Sequence, residues 1–255
     1  MSKPEKVVYY SDALHDDFAG TAISTAVVGG DYPYTHGRLW NLCSNLLYGI
    51  ALPIVWFLHR VISGVKIVGR KKVARFPEAC FLYGNHTAFF DAYTPAVLSA
   101  PRRADVLAGA DAFSIRGLRT VVQMLGALAV PNAPSGMKPF LAAVGESHKR
   151  GRHIAIYPEA HIWPYYTGIR PFPVSSLYYP AKQLAPVFAY CMTYQKGKLR
   201  KVKRTIYVSD PIYPDPSLPL KARQQKLRDA VFAYLTETAE KYSTYSYIRY
   251  EKKAE

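Results

Sequence analysis

The chain has 255 residues, enough for one sizeable α/β domain and few for two. Hydrophobic residues make up 49% of it, which excludes an intrinsically disordered chain. Lys and Arg number 33 against 18 Asp and Glu, and the net charge of +15 directs the molecule towards nucleic-acid phosphates or an anionic membrane leaflet.

Residues 1–36 are polar and mixed and read as an irregular arm or short helix, without the charged-then-apolar layout of a signal peptide. Residues 37–62 differ. The run from Leu46 to Leu58 is uncharged and ends at His59-Arg60. It falls short of the ~20 residues needed to cross a bilayer. Extension back to Leu39 reaches that length but takes in Asn41, Ser44 and Asn45, and Pro53 kinks the helix. The reading is a membrane-associating helix lying in one leaflet, with the basic residues after it at the headgroups. A buried core helix and a true span are the alternatives.

Residues 63–255 alternate between short apolar runs and helical stripes. Val65 to Val68, Cys80 to Tyr83, Asp105 to Leu107, His153 to Tyr157, Pro186 to Tyr190 and Thr205 to Val208 read as strands. Thr87 to Leu98 (broken at Pro95), Gly117 to Leu128, Pro139 to His148 and Lys221 to Lys241 read as helices. The pattern predicts an α/β fold: a mixed, largely parallel sheet flanked by helices, with an N-terminal apolar membrane-associating helical segment. Cys43, Cys80 and Cys191 give no disulfide framework and no metal spacing, and their apolar neighbours predict buried thiols.

Two polar sites stand at predicted strand ends. After Cys80 to Tyr83 comes Asn85-His86-Thr87-Ala88-Phe89-Phe90-Asp91, and after Ile154 to Ile156 comes Tyr157-Pro158-Glu159. A histidine with a carboxylate five residues on suits acid–base chemistry, because the carboxylate holds one ring nitrogen while the other moves a proton. The spacing requires His86 just outside a helix and Asp91 within its first turns.

These residues resemble the PlsC-like glycerolipid acyltransferases, which carry an Asn-His-x4-Asp motif and a later aromatic-Pro-Glu-Gly-Thr-Arg motif. The first is complete here in Asn85, His86 and Asp91. The second is matched by Tyr157-Pro158-Glu159, after which Ala160-His161-Ile162 replace Gly-Thr-Arg. Pro131-Asn132 stand where an intervening block ends in arginine, and Leu184 to Ala189 match a final apolar block with proline. The resemblance implies transfer of a fatty acyl group from an acyl thioester to a lysophospholipid or glycerolipid hydroxyl. His86 is then the general base and Asp91 its orienting carboxylate. The resemblance implies substrate binding by Asn85 and Glu159; beside it, Arg170, whose donor fork suits an acceptor phosphate, and Arg116 read as substitutes for the missing arginines, and His161 as a lining of the acceptor pocket. Val187 and Phe188 would meet the acyl chain. No metal or bound cofactor is expected; acyl-CoA or an acyl-carrier-protein thioester is the co-substrate. The implied partners are an anionic membrane surface and a lysolipid acceptor, not nucleic acid, at the cytoplasmic face of a membrane, peripheral or monotopic.

Two other classes compete. A non-enzymatic basic module binding anionic lipid or nucleic acid would use the basic runs and the 21 tyrosines, although no nucleic-acid motif is present. A metal-dependent hydrolase would place His86, Asp91 and Glu159 around a metal, but lacks a His-x-His or His-Glu-x-x-His spacing.

Overall fold

The computed structural model describes residues 6–18, 27–114, 118–197 and 201–253. In chain order the elements are β1 (Lys6–Tyr10), α1 (Arg38–Phe57) with a π-helical turn (Leu58–Ile62), β2 (Lys66–Val68), α2 (Arg70–Ala74) and β3 (Phe81–Gly84). A 3-10 turn (Phe89–Tyr93) leads into α3 (Thr94–Ser99), then β4 (Ala104–Ala108), α4 (Leu118–Met124), β5 (Ala127–Ala129), α5 (Met137–Lys149) and β6 (His153–Ile156). The rest comprises α6 (Tyr178–Gln183), β7 (Val187–Lys196), β8 (Val202–Val208), α7 (Leu220–Tyr242) and β9 (Ile248–Lys252).

Seven strands form one sheet in the order β2-β8-β7-β3-β6-β4-β5. All neighbours are parallel except β7 and β8, which form an antiparallel hairpin. Alternation along the strands builds a core on each face. Phe81, Tyr83, Ile154, Ile156, Val187 and Ala189 pack under α5, α6 and α7, where Val144, Ala181, Leu227, Val231 and Leu235 meet them. Cys80, Leu82, Ala155, Phe188 and Tyr190 face the other way, against Val73 of α2 and Leu98 of α3. The fold is α/β, with helices on both faces of a largely parallel sheet.

Several details depart from the sequence reading. The arm is not wholly irregular: Lys6–Tyr10 pairs in parallel with β9 as a separate two-stranded sheet. The apolar helix is therefore internal rather than N-terminal. The stretch read as one helix from Thr87 is a 3-10 turn followed by α3, with Pro95 in the first turn of α3, where its missing N–H has no partner to lose. The stripe read as helical to Leu128 stops at Met124; Gly126, at φ +101°, turns the chain into β5. Among the cysteines, Cys80 and Cys191 are buried but Cys43 is exposed.

The helix Arg38–Ile62 is long and apolar enough to cross a membrane by length and composition. It is not a core helix. Leu39, Leu42, Leu46, Ile50, Ile54, Phe57 and Val61 form an exposed stripe, while Ser44 and Tyr48 on the opposite side are buried. Ser44 Oγ donates to the Met124 carbonyl at 2.7 Å, and Tyr48 Oη accepts from the Ala104 N–H at 3.1 Å. These bonds hang the helix on the sheet with its apolar side outward.

His153 opens β6 and is fully buried. The Cys80 N–H donates to its Nδ1 at 3.1 Å, which requires the neutral ring, and burial holds its pKa down at about 4. Because the folded value lies below the unfolded one, the unfolded chain binds the proton first. His153 therefore contributes stability that is present above about pH 6.5 and lost as pH falls towards about 4. The expected result is that urea-unfolding free energy falls more steeply over this window in the wild type than in His153→Asn, which keeps an acceptor without a titrating ring. Equal acid limbs in the two proteins would contradict it.

Candidate active site

The site lies beyond the carboxyl ends of β3 and β6, which run parallel side by side. Chain leaving β3 passes close under β7: a Cβ on Gly84 would lie 2.4 Å from the Tyr190 ring, so only glycine fits there. Asn85 follows, buried, with its amide spanning the neighbouring strand. Its Nδ2 donates to the Met192 carbonyl at 3.0 Å and its Oδ1 accepts from the Met192 N–H at 2.8 Å. Thr87 is held by Tyr194, whose hydroxyl donates to Thr87 Oγ1 at 2.7 Å. His86 is thus set between two anchored neighbours.

Asp91 closes the turn. Its Oδ2 accepts the N–H groups of Thr87 and Ala88, both at 2.7 Å, and lies 3.4 Å from His86 Nδ1. The carboxylate is 2% exposed and caps the 3-10 turn as its third residue, while His86 stands just outside it, as the spacing requires. With Nδ1–H directed at Asp91, the lone pair lies on Nε2, which has no hydrogen-bond partner among the described residues. The His86 side chain is 14% exposed, and its ring stacks on Tyr157 with centroids 4.4 Å apart. Tyr157 in turn donates its hydroxyl to the Asp91 carbonyl.

Glu159 reaches the same turn from β6. It is 3% exposed, and both carboxylate oxygens are occupied. Oε2 accepts the His86 N–H at 3.3 Å and faces Arg170 Nη2 at 3.4 Å, while Oε1 accepts the Arg170 N–H at 3.1 Å. Burial pushes the Glu159 carboxyl up and the Arg170 guanidinium opposes that rise; burial likewise lowers Arg170, against the pull of Glu159. Arg170, 1% exposed, also donates to the His161 and Ala13 carbonyls and lies over the Trp163 ring.

The structure brings Asn85, His86, Asp91, Glu159, His161 and Arg170 together, but not all in the expected roles. Arg170 was expected to offer its donor fork to an acceptor phosphate; the fork is turned inward to Glu159 and the arm. Asn85 and Glu159 likewise direct their polar atoms at the protein. Among the described residues of the implied substrate-binding set, His161 is half-buried and is the one that retains access to solvent. Arg116 lies outside the described residues. Val187 and Phe188, the implied acyl-chain contacts, are both fully buried, on opposite faces of β7 and level with Phe81 and Leu82. Among the described residues no three His, Cys, Asp or Glu side chains gather as a metal-ligating group.

Sequence reasoning missed the support from the two ends of the chain. Trp163 Nε1 donates to the Asp16 carbonyl and Tyr250 Oη to the Pro164 carbonyl. The Trp163 ring stacks on Tyr250 of β9 and meets the ring of Tyr10 of β1 at a tilt. The small β1–β9 sheet therefore clamps the loop that carries Glu159. No short-range signal could show this, since the partners are separated by most of the chain.

No protein-family model matches the sequence, and no curated protein matches it. Among solved structures, that of the 1-acyl-sn-glycerophosphate (LPA) acyltransferase PlsC from Thermotoga maritima matches at a TM-score of 0.54 and 16% identity, over 80% of this chain and 94% of that one. The fold is PlsC-like. Within this PlsC-like fold, Ala160 replaces the glycine of the second motif and carries φ +63°, a conformation that costs an alanine about 1 kcal/mol. The buried Glu159–Arg170 pair is the surrounding structure able to hold it there.

Arg170→Met leaves Glu159 as a buried carboxylate without its counter-ion. The expected loss is about 3–5 kcal/mol in chemical unfolding, well beyond that of an exposed arginine such as Arg75. A loss no larger than that of Arg75→Met would contradict the internal role.

Proposed function

We propose that this protein is a membrane-surface O-acyltransferase that moves a fatty acyl group from an acyl thioester to a lysophospholipid or glycerolipid hydroxyl. The observation that carries this reading is the His86–Asp91 turn, in which a buried carboxylate addresses Nδ1 and Nε2 is left open. The acceptor hydroxyl gives its proton to Nε2 as its oxygen attacks the thioester carbonyl. Asp91 stabilises the imidazolium that results. The tetrahedral intermediate then collapses, expels the thiolate and takes the proton back from His86 to give thiol and ester. No acyl-enzyme is needed, so the absence of an activated serine or cysteine in the motif is consistent.

The surface around His86 supports a lipid substrate. Phe89, Phe90 and Tyr93, in the turn that follows it, are exposed. His59, buried at the end of the apolar helix, is bonded to Thr94 at 2.9 Å, so that end of the helix packs beside this turn. An acyl chain offered from the membrane edge avoids the cost of extraction into water. We assign the helix to the interface, with the protein at the cytoplasmic face, and a 1-acyl-glycerophosphate as the default acceptor by analogy with the Thermotoga maritima enzyme. Either a CoA or a carrier-protein thioester, both anionic, suits the +15 charge. Acceptor recognition rests on His161 rather than on Arg170, which is engaged internally.

Loss of the base is expected to lower acyl transfer by about 10²-fold or more while leaving the fold intact. The measurement is turnover of a long-chain acyl thioester with a panel of lysolipids, wild type beside His86→Ala, with thermal melting on both. Undiminished turnover in a folded His86→Ala protein would remove the mechanism.

A further inference from the structure

At the opposite end of the sheet is a concavity of about 610 Å³ lined by Arg38, Asn41, Arg102, Arg103, Arg150 and Arg152. Arg102 and Arg103 precede β4, and Arg152 precedes β6, whereas His86 and Glu159 follow the other ends of β3 and β6. The concavity is therefore separate from the catalytic turn. Five guanidinium groups line it, and the carboxylates bonded to them are two among the described residues. Asp105 pairs with Arg103 at 3.3 Å and Arg152 at 3.1 Å, and Glu146 pairs with Arg150 at 2.9 Å. An excess of three positive charges remains in a single hollow.

The arginines divide into two sets. Arg102 is spent on the Gly151 and Pro77 carbonyls, and Arg103 on Asp105, Asn45, Ser44 and the Met124 carbonyl. These build the walls. Arg38, exposed at the start of α1, has no hydrogen-bond or ion-pair partner among the described residues, and the exposed Arg150 uses Nε and Nη1 on Glu146 and Asn41. Arg152 is bonded through Nη1. Donors on Arg38, Arg150 and Arg152 thus remain directed at one hollow, which is an arrangement that suits a phosphate group.

Position selects the phosphate. Leu42 lines the same hollow and belongs to the exposed apolar stripe of α1, one turn from Leu39 and Leu46. Arg38, Asn41 and Asn45 flank that stripe on a single side. A phosphate bound here has an apolar surface beside it, the arrangement presented by a phospholipid whose chains lie along the helix.

We propose that this arginine hollow binds the phosphate headgroup of an anionic membrane phospholipid, as a second lipid site distinct from the catalytic one. It rests on the preceding reading only for the location of α1 at a membrane. Bound there, the lipid holds the start of α1 at the interface while the His86 turn lies beyond its other end.

The test is flotation of the full chain with phosphatidylcholine vesicles, with and without phosphatidylglycerol. Compared are wild type, Arg38→Gln/Arg150→Gln, and the charge-matched control Lys221→Gln/Lys241→Gln on α7. The arginine pair is expected to weaken binding to the anionic vesicles by about tenfold or more, and the lysine pair by less than about twofold. Equal weakening by both pairs, none by the arginine pair, or no binding of wild type to anionic vesicles would overturn the proposal. Inorganic phosphate is the second arm. If it raises the Tm of wild type but not of the arginine pair, while vesicle binding is equal in the two, the site takes free phosphate and the lipid assignment falls. Acyl transfer to a detergent-dispersed acceptor, read on the same samples, is expected to be unchanged by the arginine pair. Failure of the catalytic reading therefore shows in that assay and failure of the headgroup reading in the vesicles.

Discussion

One oxygen atom, Asp91 Oδ2, gathers the turn on which the site depends. It satisfies two backbone N–H groups, those of Thr87 and Ala88, that would otherwise be left unpaired, and it lies beside His86 Nδ1. A carboxylate bonded this way is costly to move, since any shift unpairs two donors at once. The direction of the His86 ring follows from that cost. The long 3.4 Å approach to Nδ1 is an open hydrogen bond, of the kind that shortens when a substrate and a developing positive charge arrive.

A buried ion pair supports the turn from behind. Glu159 and Arg170 are taken almost wholly out of water, and such a pair is retained only when its remaining donors and acceptors are filled. Most of them are filled, by the His86 N–H, the Arg170 N–H, and the His161 and Ala13 carbonyls, and Arg170 Nε alone of the pair's side-chain polar atoms has no hydrogen-bond partner among the described residues. The pair thereby links three segments far apart in the chain: the arm, the His86 turn and the loop after β6. Its value lies in where it holds these backbones rather than in net stability.

Much of the architecture is legible in the sequence because burial on two sides leaves a strong mark. Phe81 to Tyr83 and Ile154 to Ile156 are short apolar runs, each followed within three residues by a polar side chain, Asn85 and Glu159, and both are inner strands of a largely parallel sheet. Asn85, His86, Asp91 and Glu159 were recognisable because each follows such a run. What they do was less legible. An arginine near a carboxylate reads equally as a substrate fork or as an internal counter-ion, and only the burial of Arg170 and its bonds to Glu159 and to the His161 and Ala13 carbonyls decide between them. The strands β1 and β9 escaped notice because their pairing joins the two ends of the chain. Helices α2 and α6, of five and six residues, are too short to show a period. The sequence around Val187 and Phe188 does not separate an acyl-chain groove from a central strand, because both require an apolar block.

The account stands on which nitrogen of His86 carries the proton. Imidazole nitrogen NMR on the selectively labelled protein, with His86 assigned by its loss in His86→Gln, measures this directly. The account predicts a neutral ring protonated on Nδ1 and bare on Nε2, with that preference lost in Asp91→Ala. A ring protonated on Nε2 would point its lone pair at Asp91 and leave no base facing the substrate, and would contradict the account.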